Sequence, residues 1–277
     1  MSYLKPLPTN TEKTSSELVK VLKSYSGDFA SIVPIDLKKA PLVKLNLSGA
    51  NPEFATLNME ETEVQEKYIW DKMKAAKAVA GVGGYGEKRG WYKRSENYHE
   101  ETEVRSIHLG IDIWMEAGTI MFAPLSGIIH SFKNNAGLGD YGPTIILEHQ
   151  LEGIKFYSLY GHLSEESLIG KSKGMKIQKG EKFAEFGNYP VNGDWSPHIH
   201  FQLVGSMLDK EGDFPGVVAE SKQDYWMNLC TQIGRPQLFH LSHISDLGEW
   251  ERKVEILGDC RKQNYKFVDI RILSPGA

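Results

Sequence analysis

This 277-residue chain carries only two cysteines, Cys230 and Cys260, and they form no Cys-x-x-Cys pair. Buried free thiols are the expectation for both. No apolar run approaches the roughly 20 residues needed to cross a bilayer. The formal net charge is −4, which gives no reason to expect nucleic acid or an anionic membrane as a partner. The opening segment from Met1 to Asn10 lacks the charged-then-apolar order of a signal peptide. Cytoplasmic residence is therefore expected, with export by another route left open. No internal repeat or low-complexity tract is visible, so solenoid readings fall away. The chain also lacks His-Glu-x-x-His, the helical zinc-protease motif. Oligomeric state leaves no mark in the sequence.

What is present is histidine in a pattern. Three short pieces stand out: His108-Leu-Gly-Ile-Asp112, Gly161-His162-Leu163-Ser164 and Pro197-His198-Ile199-His200. Together they supply four histidines and one aspartate, the residue types of a catalytic zinc site with its own acid–base groups. His198 and His200 are two apart, so in a strand both imidazoles enter one pocket. His108 and Asp112 are four apart, and Ile107, Ile111 and Ile113 favour extended backbone there. A straight strand would hold their Cα atoms roughly 13 Å apart, too far to share one ion through bonds of about 2 Å. Gly110 lies between them and can supply the bend.

These pieces, in this order, resemble the lysostaphin-like zinc endopeptidases, which carry His-x-x-x-Asp, a later His-Leu-Ser and a final His-x-His. The resemblance covers roughly residues 100–205. It implies one zinc per chain held by His108, Asp112 and His200, with His162 and His198 left off the metal as catalytic residues. It further implies a compact antiparallel β fold, peptide-bond hydrolysis, and a substrate in bacterial cell-wall peptidoglycan. Which of His162 and His198 is the general base stays open. One departure is plain: the approach to the last motif reads Asn192-Gly193-Asp194-Trp195-Ser196-Pro197, where the family places a Ser/Thr-Gly run. The shape of the substrate groove is what that departure touches. A missing export signal conflicts with a cell-wall substrate. A small cytoplasmic peptide, a zinc hydrolase acting on a small metabolite, and a non-catalytic binding protein on the same fold are therefore the competing readings. Two unligated site histidines count against the last.

Along the chain, residues 1–99 read as a helical and loop extension. Leu18, Val21 and Leu22 predict a helix over Glu12–Ser24, and Asn58 looks like the cap of a second helix running through Tyr68, Ile69, Trp70, Met73 and Ala76 until Gly81 stops it. Gly81-Val-Gly83-Gly84-Tyr-Gly86 matches the dinucleotide fingerprint formally, but it follows a helix, so it reads as a helix stop and flexible turn. The basic and aromatic run Glu87–Arg94 reads as a loop able to line a groove. Residues 100–205 turn to short strands, predicted at 105–115, 119–123, 127–132, 144–149, 154–160, 182–185 and 198–204, with tight turns at 124–127 and 175–180. The expected class is mainly β, an antiparallel sandwich or barrel-like core with mixed helical extensions at both ends. Residues 206–277 read as a mixed extension packing on that core. It has a turn at 212–216, helices over 217–229 and 248–259, and a strand over 265–273. Neither extension carries a convincing catalytic constellation, so both are expected to cap or narrow the groove. His99, His130 and His149 stand singly and read as surface or core-satisfied residues. His240 and His243 sit in too short a run, between Pro236 and Gly248, for a second metal site.

Overall fold

Helix α1 (Thr11–Ser24) forms where Leu18, Val21 and Leu22 recur at helical spacing, and it buries Leu18 and Leu22. The computed structural model describes residues 11–25, 27–100 and 103–230, all within the compact unit Met1–Leu241. The predicted elements over 248–259 and 265–273, together with His240, His243 and Cys260, lie outside the described residues. After α1 come β1 (Leu42–Lys44), α2 (Thr62–Ala75), β2 (Ala80–Gly83), β3 (Ile107–His108), β4 (Ile111–Trp114) and β5 (Ile120–Phe122). Then follow β6 (Gly127–Asn135), β7 (Gly142–Leu151), β8 (Ile154–Gly161), β9 (Lys176–Ile177), β10 (Lys182–Glu185), β11 (His198–Val204), β12 (Val217–Val218) and α3 (Gln223–Leu229).

Eight strands make one sheet in the order β1-β2-β4-β11-β8-β7-β6-β9. Every pairing in it is antiparallel except β1 with β2. β5 pairs with β10, and β3 with β12, as two further antiparallel ribbons. The mainly β expectation therefore holds, as one dominant mixed sheet with small ribbons beside it.

Register decides which side chains share a face. His200 faces Asp112 and His198 faces Trp114 across β11 and β4, while Gly83 faces Asp112 and Gly81 faces Trp114 across β2 and β4. Directly opposed residues point the same way, so Gly81, Gly83, Asp112, Trp114, His198 and His200 occupy one side of the sheet. Tyr160 and Phe201 point to the other, where Phe183 of β10 meets Tyr160 edge-on at 4.8 Å. Leu22 of α1 lines a small apolar recess on that side with Phe201 and Leu203. The site face is covered by α2 and the segments around it, in a buried cluster that joins Leu45, Met59, Ile69 and Met73 to Trp114 and Trp195.

Several expectations need correcting. Gly81 and Gly83 are strand residues, and only Gly86, at φ +72°, sits in a turn. A Cβ on Gly81 would come within 2.8 Å of Leu45, and one on Gly83 within 2.8 Å of Trp114 and Arg89. These glycines exist for close packing and were misread as punctuation. α2 ends at Ala75, well before Gly81, and starts at Thr62 with Glu61 in the cap position. Asn58 instead closes a turn by accepting from the Glu60 amide at 3.3 Å. Residues 1–99 are more than helix and loop, because they contribute β1 and β2 to the main sheet. The predicted strand 105–115 is two strands broken at Leu109-Gly110. Val217–Leu229 is not one helix: Val217 and Val218 pair with β3, and only Gln223–Leu229 is α-helical.

Candidate metal centre

The break at Leu109-Gly110 puts His108 on β3 and Asp112 on β4, so their side chains converge without one straight strand having to join them. His108 Nε2 lies 3.1 Å from Asp112 Oδ1, and His200 Nδ1 lies 3.3 Å from the same oxygen. The two nitrogens are 2.9 Å apart. All three residues are buried. Gly110 is more than a hinge, because a Cβ there would stand 2.5 Å from the His200 ring.

The hydrogen-bond partners fix the protonation pattern of these atoms. His108 Nδ1 contacts the Gly84 carbonyl at 2.9 Å, and a carbonyl can only accept, so Nδ1 carries the proton and Nε2 offers a lone pair. Gln202 donates its amide nitrogen to the Pro215 carbonyl and to Cys230 Sγ, which turns its oxygen toward His200 Nε2 at 2.8 Å. That places the proton of His200 on Nε2 and leaves Nδ1 bare. Burial pushes His108 from 6.5 down to about 4, so it is neutral at pH 7. Asp112 Oδ1 receives no hydrogen bond from any donor among the described residues. Two imidazole lone pairs and a carboxylate oxygen thus face one another in a buried space with no proton between them. That arrangement is repulsive unless a cation fills it. The set of two neutral imidazoles and one carboxylate fits a zinc site with three protein ligands. Among the described residues this is the single group of that kind.

The other carboxylate oxygen is taken. Arg89 Nη1 donates to Asp112 Oδ2 at 2.6 Å and to the Tyr92 hydroxyl at 3.0 Å, while its Nε donates to Glu87 Oε2 at 2.9 Å. Burial works against charge on Arg89, but Tyr92, Asp112 and Glu87 around it more than compensate and raise its pKa. Burial likewise opposes ionisation of Asp112, yet the pKa is lowered, and with His108 neutral it is the Arg89 guanidinium on Oδ2 that favours the charged carboxylate.

His162 and His198 stand next to this cluster with ring centroids 4.3 Å apart. Each gives its Nδ1 proton to a backbone carbonyl, His162 to Asn192 at 2.8 Å and His198 to Ser196 at 2.7 Å. Each therefore presents a free Nε2. His198 Nε2 lies 4.0 Å from Asp112 Oδ1. Burial lowers both, His198 to about 4 and His162 well below its ordinary value, helped there by the neighbouring His198 and His200. Trp114 stacks on His198 with ring centroids 5.0 Å apart. His162 leaves β8 with φ +66°, a conformation that costs a histidine about 1 kcal/mol or more and that the surrounding contacts must hold.

A cavity of about 280 Å³ opens onto these histidines, and both extensions line it. Arg89, Trp91 and Tyr92 come from one side and Lys210, Phe214 and Pro215 from the other. The Glu87–Arg94 aromatics thus do face the cleft. The loop that departs from the family pattern is locked from the same side. Arg94 lies over the Trp195 ring at 4.2 Å and donates to the Asp194 carbonyl at 2.5 Å, and Thr62 donates to Asp194 at 2.8 Å. Trp195 then meets His162 edge-on at 6.2 Å.

Sequence reasoning missed Arg89, Gln202 and the Gly84 carbonyl. Gln202 had a signal, since it extends the His198-x-His200 alternation by one more position on the same face. Arg89 had none beyond its place in a basic run. His149, by contrast, is a core-satisfied residue as expected, contacting the Ser126 carbonyl at 3.0 Å and Ser158 Oγ at 2.6 Å. Cys230 is a buried free thiol, pushed up to about 12 by burial.

Residues 106–210, which contain all five site residues, match the model of peptidase family M23. An uncharacterized metalloprotease of Haemophilus influenzae is 32% identical over 96 residues, covering 35% of this chain and 18% of that protein. The chain thus spans under a fifth of the curated relative it matches. Among solved structures, the catalytic domain of the antimicrobial peptidase lysostaphin from Staphylococcus simulans is similar at 27% identity, over 37% of this chain and 71% of that one, with a TM-score of 0.29. A zinc-containing peptidase from Vibrio cholerae is similar at 22% identity, over 38% of this chain and 29% of that one, also with a TM-score of 0.29. The family resemblance of this chain is thus to peptidase family M23, over residues 106–210.

Proposed function

We propose that this protein is a zinc-dependent peptidase that hydrolyses a peptide bond in a short peptide, with peptidoglycan stem or cross-link peptides as the favoured source. One observation carries the reading: three buried acceptor atoms of His108, Asp112 and His200 face one another with no proton to reconcile them, beside two neutral histidines with free Nε2 atoms. Zinc bound there supplies Lewis-acid chemistry, polarising a carbonyl and bringing the pKa of water toward neutrality. His108, Asp112 and His200 hold it. His162 and His198 handle one proton between them: a neutral Nε2 accepts it from the attacking water, and that same proton, held there or passed to the other Nε2, is then delivered to the leaving amine. Their Nδ1 protons stay on the Asn192 and Ser196 carbonyls throughout, which fixes ring orientation and tautomer. A cavity walled by both extensions favours a short peptide over a long open trench.

Purified protein loaded with zinc should release new amino termini from peptidoglycan fragments or from synthetic stem peptides, read by mass spectrometry. Asp112→Ala and His200→Ala should lose both zinc and turnover. Full zinc occupancy in both variants would remove the ligand assignment. New masses from small metabolites alone, with none from any peptide, would replace the peptidase reading with a metabolite hydrolase.

A further inference from the structure

We propose that Arg89, which lies outside the family domain, is a positioning residue that makes Asp112 offer the metal a single oxygen. The proposal rests on the zinc reading above and adds to it a reason why the site keeps an open position. A carboxylate can bind an ion through one oxygen or both. With two histidines, a two-oxygen Asp112 would occupy four positions and leave no vacancy of the kind a catalytic zinc needs. In this structure Oδ2 is withdrawn from that choice. Arg89 Nη1 holds it at 2.6 Å, while Oδ1 alone points between His108 Nε2 and His200 Nδ1.

Arg89 is itself held rigidly. Its backbone amide donates to the Ser106 carbonyl at 2.9 Å, and the His108 amide donates to the Glu87 carbonyl at 3.0 Å. The segment carrying Arg89 is therefore laddered onto the strand that carries a metal ligand. Its guanidinium is anchored by Glu87, whose other oxygen accepts the Leu47 amide at 2.8 Å, and by the Tyr92 hydroxyl. Gly83 opposes Asp112 on the next strand and leaves room for the guanidinium, since a Cβ there would lie 2.8 Å from Arg89 Nη2. A charge-assisted bond between buried groups, fixed at both ends, keeps an oxygen from turning to the metal.

The test pairs metal retention with turnover. Arg89→Met is combined with Glu87→Gln, so that Glu87 is not left as a second carboxylate without its Arg89 partner and the net charge is unchanged. Chelator competition on cobalt-loaded protein should show cobalt held about tenfold tighter in the double variant, with peptide hydrolysis slowed about tenfold or more. Cobalt's visible absorption, which weakens as coordination number rises, should drop at equal occupancy. A merely structural Arg89 would do the reverse on removal, loosening the metal. Arg89→Lys keeps a cation on Oδ2 and should restore the wild-type spectrum. Unchanged or weaker cobalt binding in the double variant overturns the proposal. Should that variant not fold, a crystal structure of the native zinc-loaded protein decides. Asp112 bound through Oδ1 alone supports it, and Asp112 bound through both oxygens overturns it while leaving the zinc reading intact. Failure of the native protein to take up one metal per chain removes the zinc reading and this proposal together.

Discussion

Gly110→Ala is a single-carbon perturbation aimed at the His200 ring. The added Cβ would sit 2.5 Å from both Cε1 and Nε2 of His200 and 2.9 Å from the Phe201 carbonyl oxygen. Ordinary contact begins at 3.4 Å, so the ring or the strand must give by about 0.9 Å. The ring has little freedom to do so, because Gln202 holds its Nε2 at 2.8 Å and Tyr141 packs on it edge-on with centroids 5.2 Å apart. Gly110 does not occupy the left-handed region, so alanine brings no backbone penalty there and the whole effect comes from the clash. Overpacking of this size costs about 1–3 kcal/mol of stability. A ligand displaced by about 1 Å costs roughly 100-fold in turnover. Zinc competition with a chromophoric chelator and peptide hydrolysis at saturating zinc should both fall in G110A, with the melting temperature lowered. A variant that folds, binds zinc as the native protein does and keeps its rate would refute the placement of His200 against Gly110.

The remaining expectations concern histidines on and off the site. His162→Ala and His198→Ala should keep zinc yet lose hydrolysis by roughly 100-fold or more, the usual scale for an acid–base group; either variant losing metal while holding its rate per bound ion would reverse the division of labour. His149 gives a pH signature away from the metal: burial lowers it from 6.5 to about 4, so the unfolded chain takes up a proton first as pH falls. Its contribution is complete above pH 6.5, shrinks between 6.5 and 4, and is gone below, a loss of about 3 kcal/mol by linkage. Urea midpoints of the metal-free protein should therefore drop more steeply across that window than those of His149→Phe, and parallel profiles would discount it.

The histidine pieces were legible because strand alternation is a strict rule. Once His198 and His200 are two apart in a β-branched and aromatic setting, they must share a face. The bend between His108 and Asp112 was legible from distance alone, since a straight strand cannot bring them to one point. Strand cores at 182–185 and 198–204 fell where predicted for the same reason. The failures share a cause as well. Gly81 and Gly83 look like breakers in any local window, and nothing nearby reveals Leu45, Trp114 or Arg89 pressing on them across the sheet. Val217-Val218 is too short to call, and its strand state comes from pairing with Ile107 and His108 more than a hundred residues earlier. The same non-local dependence hid Arg89, whose partner Asp112 is reached only after the chain has turned back on itself.

That dependence bears on where the working unit ends. The ligands, the two free histidines and the peptidase M23 match all lie within 106–210. Several of the groups that set the protonation and orientation of His108, Asp112 and His200 do not. Gly84 fixes the tautomer of His108, Arg89 claims one oxygen of Asp112, and the Pro215 carbonyl turns the Gln202 amide that fixes His200. Each removes one freedom from one ligand, and together they convert three convergent side chains into a pre-formed acceptor cage. A bare 106–210 segment would keep the ligand list and lose the restraint on every member of it. Its ligands would then have to be ordered by the metal itself, which lowers affinity by the cost of ordering them. The segment from Gly84 to Arg89 and the stretch reaching Pro215 therefore belong to the candidate metal centre as much as to its cleft. The physical site runs across segments that a motif-centred reading sets aside as extensions.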